Sequence, residues 1–112
     1  PDAAEDEDWI RTARLFVEEH YAQPLSLSQI SKLCGMSVST FTAKFKEATG
    51  HSFLEYKQGV QIRHALKLLA DGRRKVLDVA LETGFNDISF FNKVFRKITG
   101  MTPSEYRRSL NS

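Results

Sequence analysis

One stretch of this chain occurs twice. Residues 27–56 return about fifty positions later as residues 76–106, and Ser39, Phe41, Phe45, Thr49, Gly50, Glu55 and Tyr56 recur as Ser89, Phe91, Phe95, Thr99, Gly100, Glu105 and Tyr106. Upstream of the recurring serine the offset falls to forty-nine, pairing Ile30 with Val79 and Gly35 with Gly84. The second copy therefore carries one extra residue in its turn. A unit this small buries little core alone. A repeated unit implies a repeated surface, and the residues on that surface decide what the chain recognises.

Helical signals run through both copies. Trp9, Ile10, Ala13, Phe16, Val17 and Tyr21 fall at helical spacing ahead of Pro24, which predicts an amphipathic helix over residues 7–22. Ser26 and Gln29 have capping-box spacing for a short helix that stops at Gly35, and Ser37 caps a helix over 38–49 closed by Gly50. Ser52 and Glu55 open a long helix over 53–70. Gly59 inside it costs up to about 1 kcal/mol relative to alanine, which points to a close helix contact there. Past the basic loop Arg73, Arg74 and Lys75, a helix over 76–83 runs into Gly84, and Asn86 caps residues 87–98. Thr102, Pro103 and Glu105 then open a last helix toward Leu110.

No strand pattern stands out, so the predicted fold class is all-α, with about seven helices. In each copy a short helix, a glycine turn and a second helix follow in order, which is the grammar of the helix-turn-helix. The predicted organisation is two helix-turn-helix subdomains joined by a long linker helix. An acidic linker or tail at 1–8, which also suits the cap of the first helix because carboxylates favour a helix N-terminus, precedes a first subdomain at 9–57, the linker helix at 58–70 and a second subdomain at 71–112.

Composition narrows the function classes. Apolar residues make up 41% of the 112 positions and include eight phenylalanines, enough for a core. No stretch approaches the roughly 18 unbroken apolar residues of a membrane span, and the acidic start is unlike a secretory signal, so a cytoplasmic protein with no membrane partner is expected. Cys34 is the only cysteine, which rules out an intrachain disulfide, and no Cys/His metal spacing occurs. Asp2, Glu5, Asp6, Glu7 and Asp8 precede the first basic residue. Setting those five aside leaves 16 basic against 9 acidic residues, a net charge of +7 from Trp9 onward. A basic body fits an anionic partner, most commonly nucleic acid.

In a helix-turn-helix the second helix lies in the DNA major groove while the first braces it. At roughly 100° per residue, Phe41, Lys44, Phe45 and Ala48 cluster on one side of the first such helix. Ser39, Thr42, Ala43 and Lys46 fall opposite. The same arithmetic buries Phe91, Val94, Phe95 and Ile98 in the second copy and turns out Ser89, Asn92, Lys93 and Arg96. These eight outward residues are the predicted face toward double-stranded DNA. Asn92 suits bidentate pairing with adenine, Lys93 or Arg96 with guanine, and Ala43 or the Thr42 methyl suits thymine's methyl group. Lys46 fits a phosphate contact. The second face, with an amide and two long cations, is expected to carry more of the sequence discrimination.

These residues resemble the AraC/XylS type of bacterial transcription regulators. The resemblance covers nearly everything from Leu25 to Arg107 and is strongest over residues 84–97 and 100–107, beginning Gly84-Phe85-Asn86-Asp87 and Gly100-Met101-Thr102-Pro103. It implies that both recognition helices enter successive major grooves on one face of the duplex, about 34 Å apart on straight DNA. It also implies regulation through RNA polymerase recruitment, and an effector ligand held on a separate domain that these residues do not supply. No cofactor and no enzymatic activity are expected. Three positions depart from the family pattern: Gln61 stands where arginine is usual, Ser31 where alanine is usual, and Lys75 near a usual Ser/Thr cap.

Other residues have plainer roles. Cys34 reads as a small buried residue rather than a redox sensor. His20, His51 and His64 lack ligand spacing, and His51 fits a loop or phosphate contact. Phe90 and Phe91 read as flank and core rather than as a base-stacking pair. Asp87 suits the helix dipole better than cytosine. Arg73, Arg74 and Lys75 fit a solvated loop and phosphate anchors equally. The hydroxyls have no histidine and acid in order for a catalytic triad. A helical protein–protein interaction module is the alternative reading of the doubled surface.

Overall fold

The computed structural model describes the backbone of residues 3–111 and the side chains of residues 8–111. Seven helices follow in order among them: α1 (Ala3–His20), α2 (Leu27–Leu33), α3 (Val38–Thr49), α4 (Phe53–Leu69), α5 (Val76–Glu82), α6 (Ile88–Thr99) and α7 (Pro103–Leu110). No strand occurs among the described residues, as the all-α reading requires. The first helix differs in extent from the expected 7–22. It begins at Ala3, so Glu5, Asp6, Glu7 and Asp8 are helical, and Pro1 and Asp2 lie outside the described residues. Carboxylates favour the positive end of a helix dipole, which suits an acidic run to the first turns. At the other end the backbone turns after His20, where the Gln23 amide donates to the His20 carbonyl at 2.9 Å.

Within α4, after Lys57, the chain divides into two compact units. Trp9, Ala13 and Val17 from α1, Ile30 from α2, Phe41 and Phe45 from α3 and Phe53 from α4 are buried in the first. Its centre is aromatic: Trp9 meets Phe41 at 5.9 Å edge-on, and Phe53 meets both Phe41 and Phe45 at 5.6 Å. Edge-to-face rings add about 0.5–1.5 kcal/mol per pair beyond area burial. In the second unit the core is Ile62, Ala65, Leu69, Val79, Ala80, Phe85, Phe91, Val94 and Phe95, with Tyr106 packed against it. The repeated phenylalanines fill the same places in both: Phe41 and Phe45 lie 5.4 Å apart, Phe91 and Phe95 5.7 Å apart.

Local chemistry is duplicated too. Gly35 and Gly84 take the left-handed backbone of their turns at φ 72° and 95°, a region costly for residues with a Cβ. The amides that follow close equivalent bonds, Met36 to Ser31 and Phe85 to Ala80, both at 2.9 Å. Thr49 and Thr99 each donate their hydroxyl to the carbonyl four residues back at 2.8 Å. Ser52–Glu55 and Thr102–Glu105 are full capping boxes, with side chain and backbone bonded in both directions. Ser26 accepts from the Gln29 amide at 3.0 Å, and the Gln29 side chain meets the Ser26 hydroxyl at 3.4 Å.

One interior detail differs from expectation, and the three positions that depart from the family pattern can be placed. Gly59 faces open space, with nothing within 4 Å of where a Cβ would stand, so no close helix contact explains it. Gln61 is buried, and its Nε2 donates to the Thr83 carbonyl at 3.0 Å, tying α4 to the end of α5. Ser31 is also buried and donates to the Ser28 carbonyl at 3.2 Å. Lys75 occupies the N-cap of α5 without a side-chain cap bond.

Candidate nucleic-acid interface

Each second helix of the duplicated motif is fixed at both ends and along its core side. At the start of α3 the Ser37 hydroxyl accepts from the Thr40 amide at 3.2 Å. At the start of α6 the cap is Asp87 rather than the expected Asn86: its backbone is extended and its Oδ1 accepts from the Ser89 amide at 2.9 Å. Either side chain has the chemistry for the cap, and the extra residue in this turn moves the role to the second. Phe85, just before Asn86, is buried with its ring 5.2 Å from Phe91. Both helices end on a glycine in the left-handed region, Gly50 and Gly100.

With the phenylalanines held inward, the opposite sides face solvent. Ser39, Thr42, Ala43 and Lys46 on α3 are all exposed, as are Ser89, Asn92, Lys93 and Arg96 on α6. Within each unit the helix brings its four together on one side. Lys46, Lys93 and Arg96 form no salt bridge among the described residues, although, after the hydrogen bonds from Thr102, the Arg96 charge is felt by the Glu105 carboxyl and helps to lower its pKa. Burial along the core side is incomplete. Ile98, expected to be buried, is exposed, and Lys44 and Ala48, which share the side of Phe41 and Phe45, are exposed too. Two further exposed residues, Val38 and Ile88, lie four positions before Thr42 and Asn92, a spacing that helical periodicity alone brings onto the same ridge.

Phe90 flanks the core, 47% exposed with its ring 6.1 Å from Phe85, while Phe91 is fully buried. Arg73 and Arg74 are held by carboxylates of the loop and of α5. Arg73 Nε bonds Asp71 Oδ1 at 3.1 Å, and Arg74 pairs with Glu82. The hydrogen bond from the Arg73 side chain holds the Asp71 carboxyl below its ordinary range. Arg107 donates to the carbonyls of Leu69 and Asp71 at 3.2 Å, closing the end of α4. His51 is exposed in the loop after Gly50. Cys34 is half-buried, its Sγ 3.5 Å from the Trp9 carbonyl, and burial pushes its thiol pKa up, away from reactive thiolate. No group of three or more His, Cys, Asp or Glu suited to a metal occurs among the described residues, and no helix there is long and apolar enough to cross a membrane.

Residues 30–109 match the family model described as helix-turn-helix domain. The fold also matches a crystal structure of a probable AraC family transcriptional regulator from Rhodopseudomonas palustris, with a TM-score of 0.83, 26% identity, and 91% of this chain and 96% of that one covered. The chain belongs to the AraC/XylS-type helix-turn-helix family. Members of this AraC-type family are transcription regulators and not enzymes. The virulence regulon transcriptional activator VirF of Yersinia enterocolitica is 35% identical over 92 residues, which are 82% of this chain and 34% of VirF. Staphylococcus aureus HTH-type regulators match over the same share of this chain, which spans only 12% of their length. The DNA-binding domain of AdpA, solved with a target DNA, is similar at a TM-score of 0.79 and 25% identity, with 87% of each chain covered.

Proposed function

We propose that this AraC-type domain reads a specific duplex sequence by placing α3 and α6 in successive major grooves, as the DNA-reading part of a longer cytoplasmic transcription regulator. The observation that carries the reading is the repeated arrangement of exposed polar residues opposite buried phenylalanines, on a basic body. The likeness to the AdpA domain, itself solved with DNA, supports the same partner. In this reading Asn92 pairs with adenine, Lys93 and Arg96 reach guanine or phosphate, and Lys46 holds phosphate. Ser39 and Ser89 contact base edges or backbone, and Thr42 and Ala43 offer small groups to thymine. Effector binding belongs to the rest of the regulator, and the output is exerted on RNA polymerase.

Selection of bound sites from a random duplex library tests this directly. Asn92→Ala is expected to cost about 1–3 kcal/mol at one base position and little elsewhere. Binding should also weaken steeply with salt, because each phosphate neutralised releases counterions. Capture that selects no sequence and ignores salt would instead favour a protein-interaction module.

A further inference from the structure

Ridges four residues apart run along both recognition helices, and they repeat the same chemistry in the same order. On α3 the ridge is Val38, Thr42, Lys46, and on α6 it is Ile88, Asn92, Arg96, with all six side chains exposed. A branched aliphatic comes first, a hydrogen-bonding group second, a cation third. Val38 and Ile88 are 42% and 37% exposed at the first helical position, directly after the caps Ser37 and Asp87. Branched aliphatics add little to helix formation. More than a third of each side chain stays in water, and that part gains from the hydrophobic effect only when another apolar surface covers it. A single exposed aliphatic needs no explanation. The same one at the head of the same ridge in both copies, beside the predicted polar face, does.

The major groove offers one apolar group on the standard bases, the thymine methyl. Residues four apart on a helix are separated by about 6 Å along its axis, less than two base-pair steps of about 3.4 Å. Recognition helices also enter the groove by their N-terminal residues.

We infer that Val38 and Ile88 are specificity-determining residues, each packing on the methyl of a thymine within two base pairs of the base read by the next residue of its ridge. This inference rests on the DNA-reading proposal and assigns an apolar component to each half-site. It predicts a thymine in both halves of the selected site.

Deoxyuridine scanning isolates the methyl, since replacing thymine by deoxyuridine removes that group and leaves the pairing edge intact. With the selected duplex, one such replacement in each half-site should lower the affinity of the unaltered domain about three- to five-fold, the worth of one buried methyl group. Ile88→Ala should abolish that sensitivity only in the half-site where Asn92→Ala acts, and Val38→Ala only in the other. Both side chains are exposed, so neither change empties the core. A selected site lacking thymine in either half would overturn the inference. So would deoxyuridine replacements without effect, or effects that persist unchanged in both variants. A domain that retains no duplex at all refutes the DNA-reading proposal itself, an outcome distinct from normal binding that is indifferent to the methyl.

Discussion

Replacing Gln61 by leucine isolates a single buried hydrogen bond. The Gln61 side chain is 4% exposed and donates to the carbonyl of Thr83, the fully buried C-cap residue of α5. Leucine has similar bulk and no donor, so the variant leaves one buried carbonyl without its partner. That costs about 1–3 kcal/mol. Unfolding entropy near 2.1 cal/mol/K per residue gives about 0.24 kcal/mol/K for a chain of 112 residues. A loss of about 2 kcal/mol then lowers the melting midpoint by about 8 °C. Gln61→Ala should lower it further, because a cavity is added to the lost bond. Far-UV circular dichroism melts measure both variants, and binding of the selected duplex well below the midpoint should be unchanged, since Gln61 is buried and lies outside the proposed DNA face. A leucine variant that melts at or above the temperature of the unaltered chain would refute the reasoning, because the carbonyl would then need no donor.

Gly59→Ala should raise stability by about 0.5–1 kcal/mol, since the site is helical and open around a new Cβ; a lowered urea midpoint would count against it. Acid should act through Glu105, whose carboxylate accepts from the Thr102 amide at 2.8 Å, the leading cause that holds its pKa below the ordinary 4.5. A carboxyl depressed in the folded state contributes fully above its unfolded pKa, and the contribution disappears as pH falls through the folded value. The drop in urea midpoint from about pH 5.5 to about pH 3 should therefore be smaller in Glu105→Gln than in the unaltered chain, and equal drops would remove Glu105 from the account.

Much of this architecture was legible because its signals are local. Glycine at a left-handed turn, Ser or Thr three residues before Glu, and phenylalanines at helical spacing each act within a few residues, so helix order and the two outward faces followed from the residues alone. The misreadings came where a choice depended on something distant or on geometry. Asn86 and Asp87 are both good caps, and only the backbone angles assign the role to Asp87. Ile98 lies on the core side of its wheel and is nevertheless exposed, because a wheel gives direction and not whether a neighbour reaches that position. The bond from Gln61 to Thr83 spans twenty-two residues of sequence, beyond the reach of any periodicity. At the amino end the residues left a linker and a helix start both open, and the backbone from Ala3 is helical.

The separation between buried phenylalanines and outward polar residues has a consequence for how such a chain diversifies. Positions that hold a unit together and positions proposed to meet DNA sit on different sides of the same short helix, so substitutions on the outer side should leave thermal tolerance nearly intact. One copy can drift toward a new preference while the other keeps the molecule engaged. Ser39-Thr42-Ala43-Lys46 and Ser89-Asn92-Lys93-Arg96 already differ at three of four positions over shared internal phenylalanines, as such a division of labour allows.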